Sequence, residues 1–346
     1  MRLNFRAGSI VLLALLFIPV RLPAGEQLAW PAPPDVPRIR YLLSLPSAKT
    51  GDRRGKTFLS RSINYLLGVG SPGEKLPPPA LLQPTGLWMV GATLYVADPG
   101  TKQVVACFPD TGVCTPVRFR PDPEFKSPVG VTVSADGRMF VSDSALGRVF
   151  MYGVTRKLIR ELDPERKFLV RPTGLAIDEG RNRLYVADTG AHKIHVFNLE
   201  GKFLSSMGRR GGGKGEFNFP TYISVERRTG RLLVCDSANF RVQVFGVDGA
   251  FVAMFGEGGD RPGYMGRPRG ISADSDGNIY LVDGALEAVQ IFDVKGQLLL
   301  YFGRSGSEHG QFSLPGGIFI DDQDQVYVAD TQNKRIEVYK YLTTKR

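Results

Sequence analysis

Three histidines, three cysteines and a recurring aspartate are the residues of this 346-residue chain whose types could do chemistry. His192, His195 and His309 invite zinc, and an open catalytic zinc site takes three converging protein ligands. His192 and His195, however, lie three positions apart along a turn and a strand, where their side chains face opposite ways, and His309 falls in a loop. Asp274-Ser-Asp276-Gly-Asn278 and Asp321-Asp322-Gln-Asp324 are superficially calcium-like. Neither has the downstream bidentate Glu of such loops, and turn chemistry alone selects Asp, Gly and Asn there. Arg209-Arg-Gly-Gly-Gly-Lys-Gly215 resembles a phosphate cradle, but Gly215 stands where a P-loop needs Ser or Thr. It reads as a flexible basic loop. No metal-independent nucleophile constellation is visible. The expectation is no catalytic residue, no metal and no cofactor.

Cys107 and Cys114 flank Phe-Pro-Asp-Thr-Gly-Val, a hairpin-like turn, so a disulfide across adjacent strands is expected in an oxidising compartment. Cys235 reads as a small buried apolar side chain. The aspartates Asp98, Asp143, Asp188, Asp236, Asp283 and Asp330 are separated by 45, 45, 48, 47 and 47 residues. Each ends a short apolar run and precedes a polar turn, where a carboxylate accepts hydrogen bonds from the N–H groups of that turn. Six copies suit a structural cap; catalysis would not need six.

The elements that position these residues form a six-fold repeat, as in LYVADTGAHKIHVF from Leu184 and VYVADTQNKRIEVY from Val326. Each unit opens on a Pro-x-Gly turn, except at Pro220-Thr-Tyr222, and alternates short apolar runs with Asp-, Gly- and Asn-rich turns. A period near 47 with four short strands per unit predicts an all-β, six-bladed β-propeller. The last unit lacks a fourth strand, which Arg38–Leu45 would supply, closing the ring. The expected organisation is a signal peptide over 1–24, a Pro-rich spacer over 25–37, the closing strand over 38–45, an insertion over 46–83 and six repeats over 84–342. Within the insertion, Leu59, Ile63, Leu66 and Leu67 share one face of an amphipathic helix over Lys56–Leu67.

Pro-x-Gly, Val-Ala-Asp and a basic residue before Ile/Val-x-Val-Phe, clearest over residues 172–197, resemble the NHL repeat. The resemblance covers roughly 81–342 plus the closing strand, and it implies the six-bladed propeller. It also brings in NHL-like peptidylhydroxyglycine lyases, which hold zinc with histidines from different blades; here two of the three lie on one blade. Blade five departs most, with Gly284 after its Asp and Glu287-Ala288 where a basic residue is usual.

Arg2 and Arg6 before an apolar run from Ser9 to Val20 predict export to a periplasmic or extracellular space, or an anchored form if the segment is not cleaved. The net charge of +10 suggests anionic partners, and the compartment argues against nucleic acid. Loops joining blades and turns after the marker Asp open on one face, called the top. Its inter-blade loops carry ten basic residues against six acidic ones. The bottom turns of blades five and six carry only acids. The expectation is a monomeric, non-enzymatic binding or scaffold propeller that recognises a protein or anionic polymer through Arg209, Arg210, Lys214, Arg267, Arg269 and Arg304. Residues 51–68 could add a peripheral membrane contact. The alternative is a metal-dependent lyase or lactonase-like hydrolase with its site at the channel mouth.

Overall fold

The computed structural model describes residues 28–32, 34–46 and 80–342. The signal segment and the helix expected over Lys56–Leu67 lie outside the described residues. The rest is a six-bladed β-propeller of antiparallel four-stranded sheets, with two short 3-10 turns. Blade three is typical: Pro172–Asp178 lines the channel, followed outward by Arg183–Asp188, Lys193–Phe197 and Phe203–Met207. In every blade the second strand ends on the marker Asp.

The second and third strands of the blades are largely buried on both faces, because each lies between two neighbouring blades. Six apolar clusters result, each shared by adjacent blades. One joins Leu184 and Phe197 of blade three to Phe140 and Met151 of blade two. No blade therefore buries its apolar surface alone.

Blade six is assembled from both ends of the described chain. Ile39–Leu45 pairs with Arg335–Tyr341 and becomes the fourth strand. Ala29–Trp30 adds a short fifth strand against Ile39 and Arg40. The stretch read as a spacer over 25–37 is thus partly built into the ring. Pro31, Pro34 and Pro37 lie in a reversal that returns Trp30 to pack 5.6 Å from Phe302 and 5.8 Å from Tyr339, centroid to centroid. Cys107 and Cys114 are directly opposed in blade one and disulfide-bonded, and Cys235 is buried.

The Pro-x-Gly turns bring neighbouring inner strands into close approach at the top. A Cβ on Gly174 would lie 2.6 Å from the carbonyl oxygen of Thr221 in the next blade. Thr173, Ser237 and Thr331 hydroxyls donate to carbonyls of the following blade at 2.8, 2.9 and 2.9 Å, forming a polar girdle.

Candidate functional site

The marker aspartates are all fully buried and do more than cap their own turns. Asp143 accepts from Ala145 and Leu146 in the following turn, and from Lys126 and Ser127 in the incoming inter-blade loop. Asp98, Asp188 and Asp283 repeat the pattern. In blades four and six side chains join in: Arg241 donates to Asp236 at 2.8 Å and Arg335 to Asp330 at 2.9 Å. Each carboxylate is a staple between blades.

The basic top face resolves into two groups. On the loop between blades three and four, Arg209 is clamped to Glu216 at 2.7 Å, and the Lys214 ammonium sits 5.7 Å from the centre of the Phe251 ring. This loop, expected to be flexible, is fastened. Arg241 donates to the carbonyls of Gly212, Gly213 and Glu216, and Arg210 bridges in parallel to Phe217. Its charge is largely spent on its own geometry. Arg210 and Arg304 are exposed on the outer loops.

The second group surrounds the mouth of the channel. Blade five lacks the girdle hydroxyl: Gly284 follows its marker Asp, where blades three, four and six carry Thr189, Ser237 and Thr331. The space goes to arginines, since a Cβ on Gly284 would lie 3.2 Å from Cδ of Arg269 and 3.8 Å from Cδ of Arg267. Tyr222, in place of the turn glycine of blade four, reaches across the channel; its Cε1 lies 3.5 Å from where a Cβ on Gly317 of blade six would be. Burial raises the Tyr222 phenol above its ordinary range, and Arg269 opposes that shift. Arg171, one of the ten basic residues of the inter-blade loops, completes the rim, its guanidinium 5.7 Å from the centre of the Phe219 ring. No carboxylate among the described residues pairs with Arg171, Arg267 or Arg269.

Toward the bottom the channel widens into a cavity of about 550 Å³ walled by Leu87, Trp88, Leu175, Ile223, Ile271 and Phe319. Each arginine at its mouth faces a carboxylate: Arg181 with Asp178 at 2.9 Å, Arg227 with Asp322 at 2.7 Å and Arg228 with Glu226 at 3.8 Å. Arg227 spans from blade four to blade six and also donates to the carbonyls of Ile320 and Asp321. Asp322 is thus partly neutralised from a blade that is not its neighbour, and Asp324 is occupied by Ser275 of blade five.

The histidines stay apart. His192 Nδ1 accepts from the Phe219 N–H at 3.2 Å, His195 lies between Ser206 and Asp188, and His309 meets Tyr41 at 2.9 Å. A zinc site of the lyase type needs converging ligands, and no three His, Cys, Asp or Glu converge among the described residues. The residues present do not fit that metal.

Comparison with known proteins gives the same architecture. A family model described as a 6-bladed beta-propeller matches residues 167–255. Peptidyl-glycine alpha-amidating monooxygenase B of Xenopus laevis is 30% identical over 125 residues, 34% of this chain. The match spans only 13% of that protein's length. Among solved structures, virginiamycin B lyase from Staphylococcus aureus superposes with a TM-score of 0.53 at 13% identity, covering 75% of this chain and 95% of its own. The gluconolactonase XC5397 from Xanthomonas campestris gives 0.60 at 14% identity, covering 76% and 88%. At such identities the likeness is one of fold.

Proposed function

We propose that this six-bladed β-propeller is an exported binding module that recognises an anionic protein or polymer through its top face, with Arg171, Arg267 and Arg269 as the anchors. The observation that carries the reading is the contrast between the two channel mouths. Arginines at the bottom are neutralised by Asp178, Asp322 and Glu226, whereas those at the top have no carboxylate partner among the described residues. An unpaired guanidinium offers a planar fork for carboxylate, sulfate or phosphate. Arg210 and Arg304 would extend the field outward, while Arg209 and Lys214 are already engaged.

The test is retention on immobilised heparin and on poly-glutamate across a salt gradient. Reversal of Arg267 and Arg269 to Glu should weaken binding about tenfold or more and flatten its salt dependence. Reversal of Arg209 should do less. Elution of the double variant with the parent would remove the rim from the site.

A second reading rests on the cavity. Its aromatic and aliphatic walls suit a small apolar molecule, as in a propeller lyase or lactonase, without the metal that the donor set does not support. A thermal-shift screen of lactones and cyclic esters, repeated with Trp88→Ala, separates it from the first.

A further inference from the structure

We propose that Ser206, His195 and Asp188 of blade three form a nucleophilic site that cleaves a small ester, separate from both the arginine rim and the channel. Ser206 lies exposed on the outer strand, directly opposite His195 in register. Its Oγ is 2.7 Å from His195 Nδ1. On the other side of the imidazole, Nε2 lies 3.5 Å from Oδ2 of Asp188. His195 is 1% exposed and Asp188 fully buried. With its proton on Nε2, toward the carboxylate, the ring turns its Nδ1 lone pair to the serine hydroxyl, the geometry in which a base activates a nucleophile.

Two carboxylates held in their charged form face the imidazole. Burial alone would raise the Asp188 carboxyl, but His195 and the N–H groups of Val170, Arg171 and Ala191 outweigh it and hold it below the usual range. Asp163, buried yet kept low by the N–H groups of Leu169, Phe168 and Lys167, adds a second negative charge toward His195.

The other blades act as internal controls. At the place of His195 they carry Val105, Phe150, Gln243, Gln290 and Glu337, facing Pro116, Glu161, Met254, Tyr301 and Ser44 across the outer pair. Blade three alone among these pairs sets an imidazole against a hydroxyl. In blades four and six an arginine donates to the marker Asp; the corresponding residue here is Lys193, and Asp188 faces His195 instead. Phe168 lies 5.3 Å from the His195 ring and 4.5 Å from that of Phe203, an apolar wall beside Ser206 for the acyl or aryl part of an ester.

In the reaction, Ser206 Oγ bonds to the ester carbonyl carbon as its proton passes to His195 Nδ1. The bond from that carbon to the leaving oxygen breaks, and the same proton goes to the leaving alcohol or phenol. Water then attacks the acyl-serine, giving a proton to His195 that returns to Ser206 Oγ as the carboxylic acid departs. Ser206 and His195 are the catalytic pair; Asp188 positions the ring.

The experiment treats the full chain with 4-nitrophenyl acetate and locates the acetyl group by mass spectrometry. A burst of 4-nitrophenolate with acetyl on Ser206 is expected. Ser206→Ala should abolish the burst and Ser205→Ala should leave it. His195→Gln, which installs the residue of blades four and five, should slow it at least about 100-fold. Acetyl spread over lysines, or an undiminished burst in Ser206→Ala, would overturn the site. Ser206 is exposed, so that variant decides the question even if His195→Gln does not fold.

Discussion

Glu337 sits fully buried where the N-terminal strand joins blade six. It accepts from Ser44 Oγ at 2.7 Å, with Arg335 Nη2 2.9 Å away as its ion-pair partner and His309 Nδ1 at 3.9 Å. Burial pushes its carboxyl up to about 7, with Asp330 adding to the shift and Ser44, Arg335 and Tyr41 opposing it. The folded chain therefore keeps this proton up to about pH 7, whereas the unfolded chain releases it near the ordinary 4.5. Between those values the folded state binds more protons, so stability falls as pH rises and then levels off. Glu337→Gln should flatten that slope and gain about 1–3 kcal/mol at pH 8, read from denaturant midpoints at pH 5 and 8. Equal slopes would mean that Glu337 is ionised in both states. Legibility at this scale was uneven. The marker aspartates could be read as turn caps, because Asp before a polar turn has one local use. Their hold on the incoming loop joins residues about seventeen apart, such as Lys126 and Asp143, and no local pattern encodes it. The Ser206–His195 pair was hidden by a bulge: the register shifts between Val196 and Phe197, which brings Ser206 rather than Ser205 opposite His195.

Loops 209–217 and 304–312 show one device used twice. Arg241 and Arg335 each run under an inter-blade loop, donate to its carbonyls and end on a marker Asp. Arg241→Ala would strip Asp236 of its cation and free the carbonyls of Gly212, Gly213 and Glu216. It should cost about 3 kcal/mol. Amide exchange across residues 211–217 should accelerate before that of the blade cores, and unchanged protection there would show that the glycines hold the loop unaided. The sequence made this loop look mobile because glycine removes local restraint; the restraint comes from a side chain on the following blade. The strands themselves were legible, since alternating apolar runs between Asp-Gly turns leave few other options. Trp30 was not, because Pro31-Ala-Pro-Pro suggests a stiff extended arm while the ring needs a reversal.

Six apolar clusters, each between two blades, make the molecule a closed cycle of interfaces. The repeat period alone implies that cycle. Arg267 and Arg269 are legible in the sequence as top-face charges, but their gathering at the channel mouth depends on Gly284 and Tyr222, both departures from the repeat. A chain lacking residues 28–46 would leave Arg335–Tyr341 with an unpaired edge and expose Tyr339 and Ile39's partners in the core. It should form dimers or larger species in light scattering; a stable monomer with parental melting would show that five complete blades suffice. The mixed origin of blade six also bears on how the protein is made. A ribosome releases Ile39–Leu45 long before Arg335–Tyr341, so the first strand needed for closure waits, unpaired, until nearly the whole chain has emerged. Through that interval the nascent protein is an open array with a sticky end, and whatever shields that strand during synthesis decides how much of it matures.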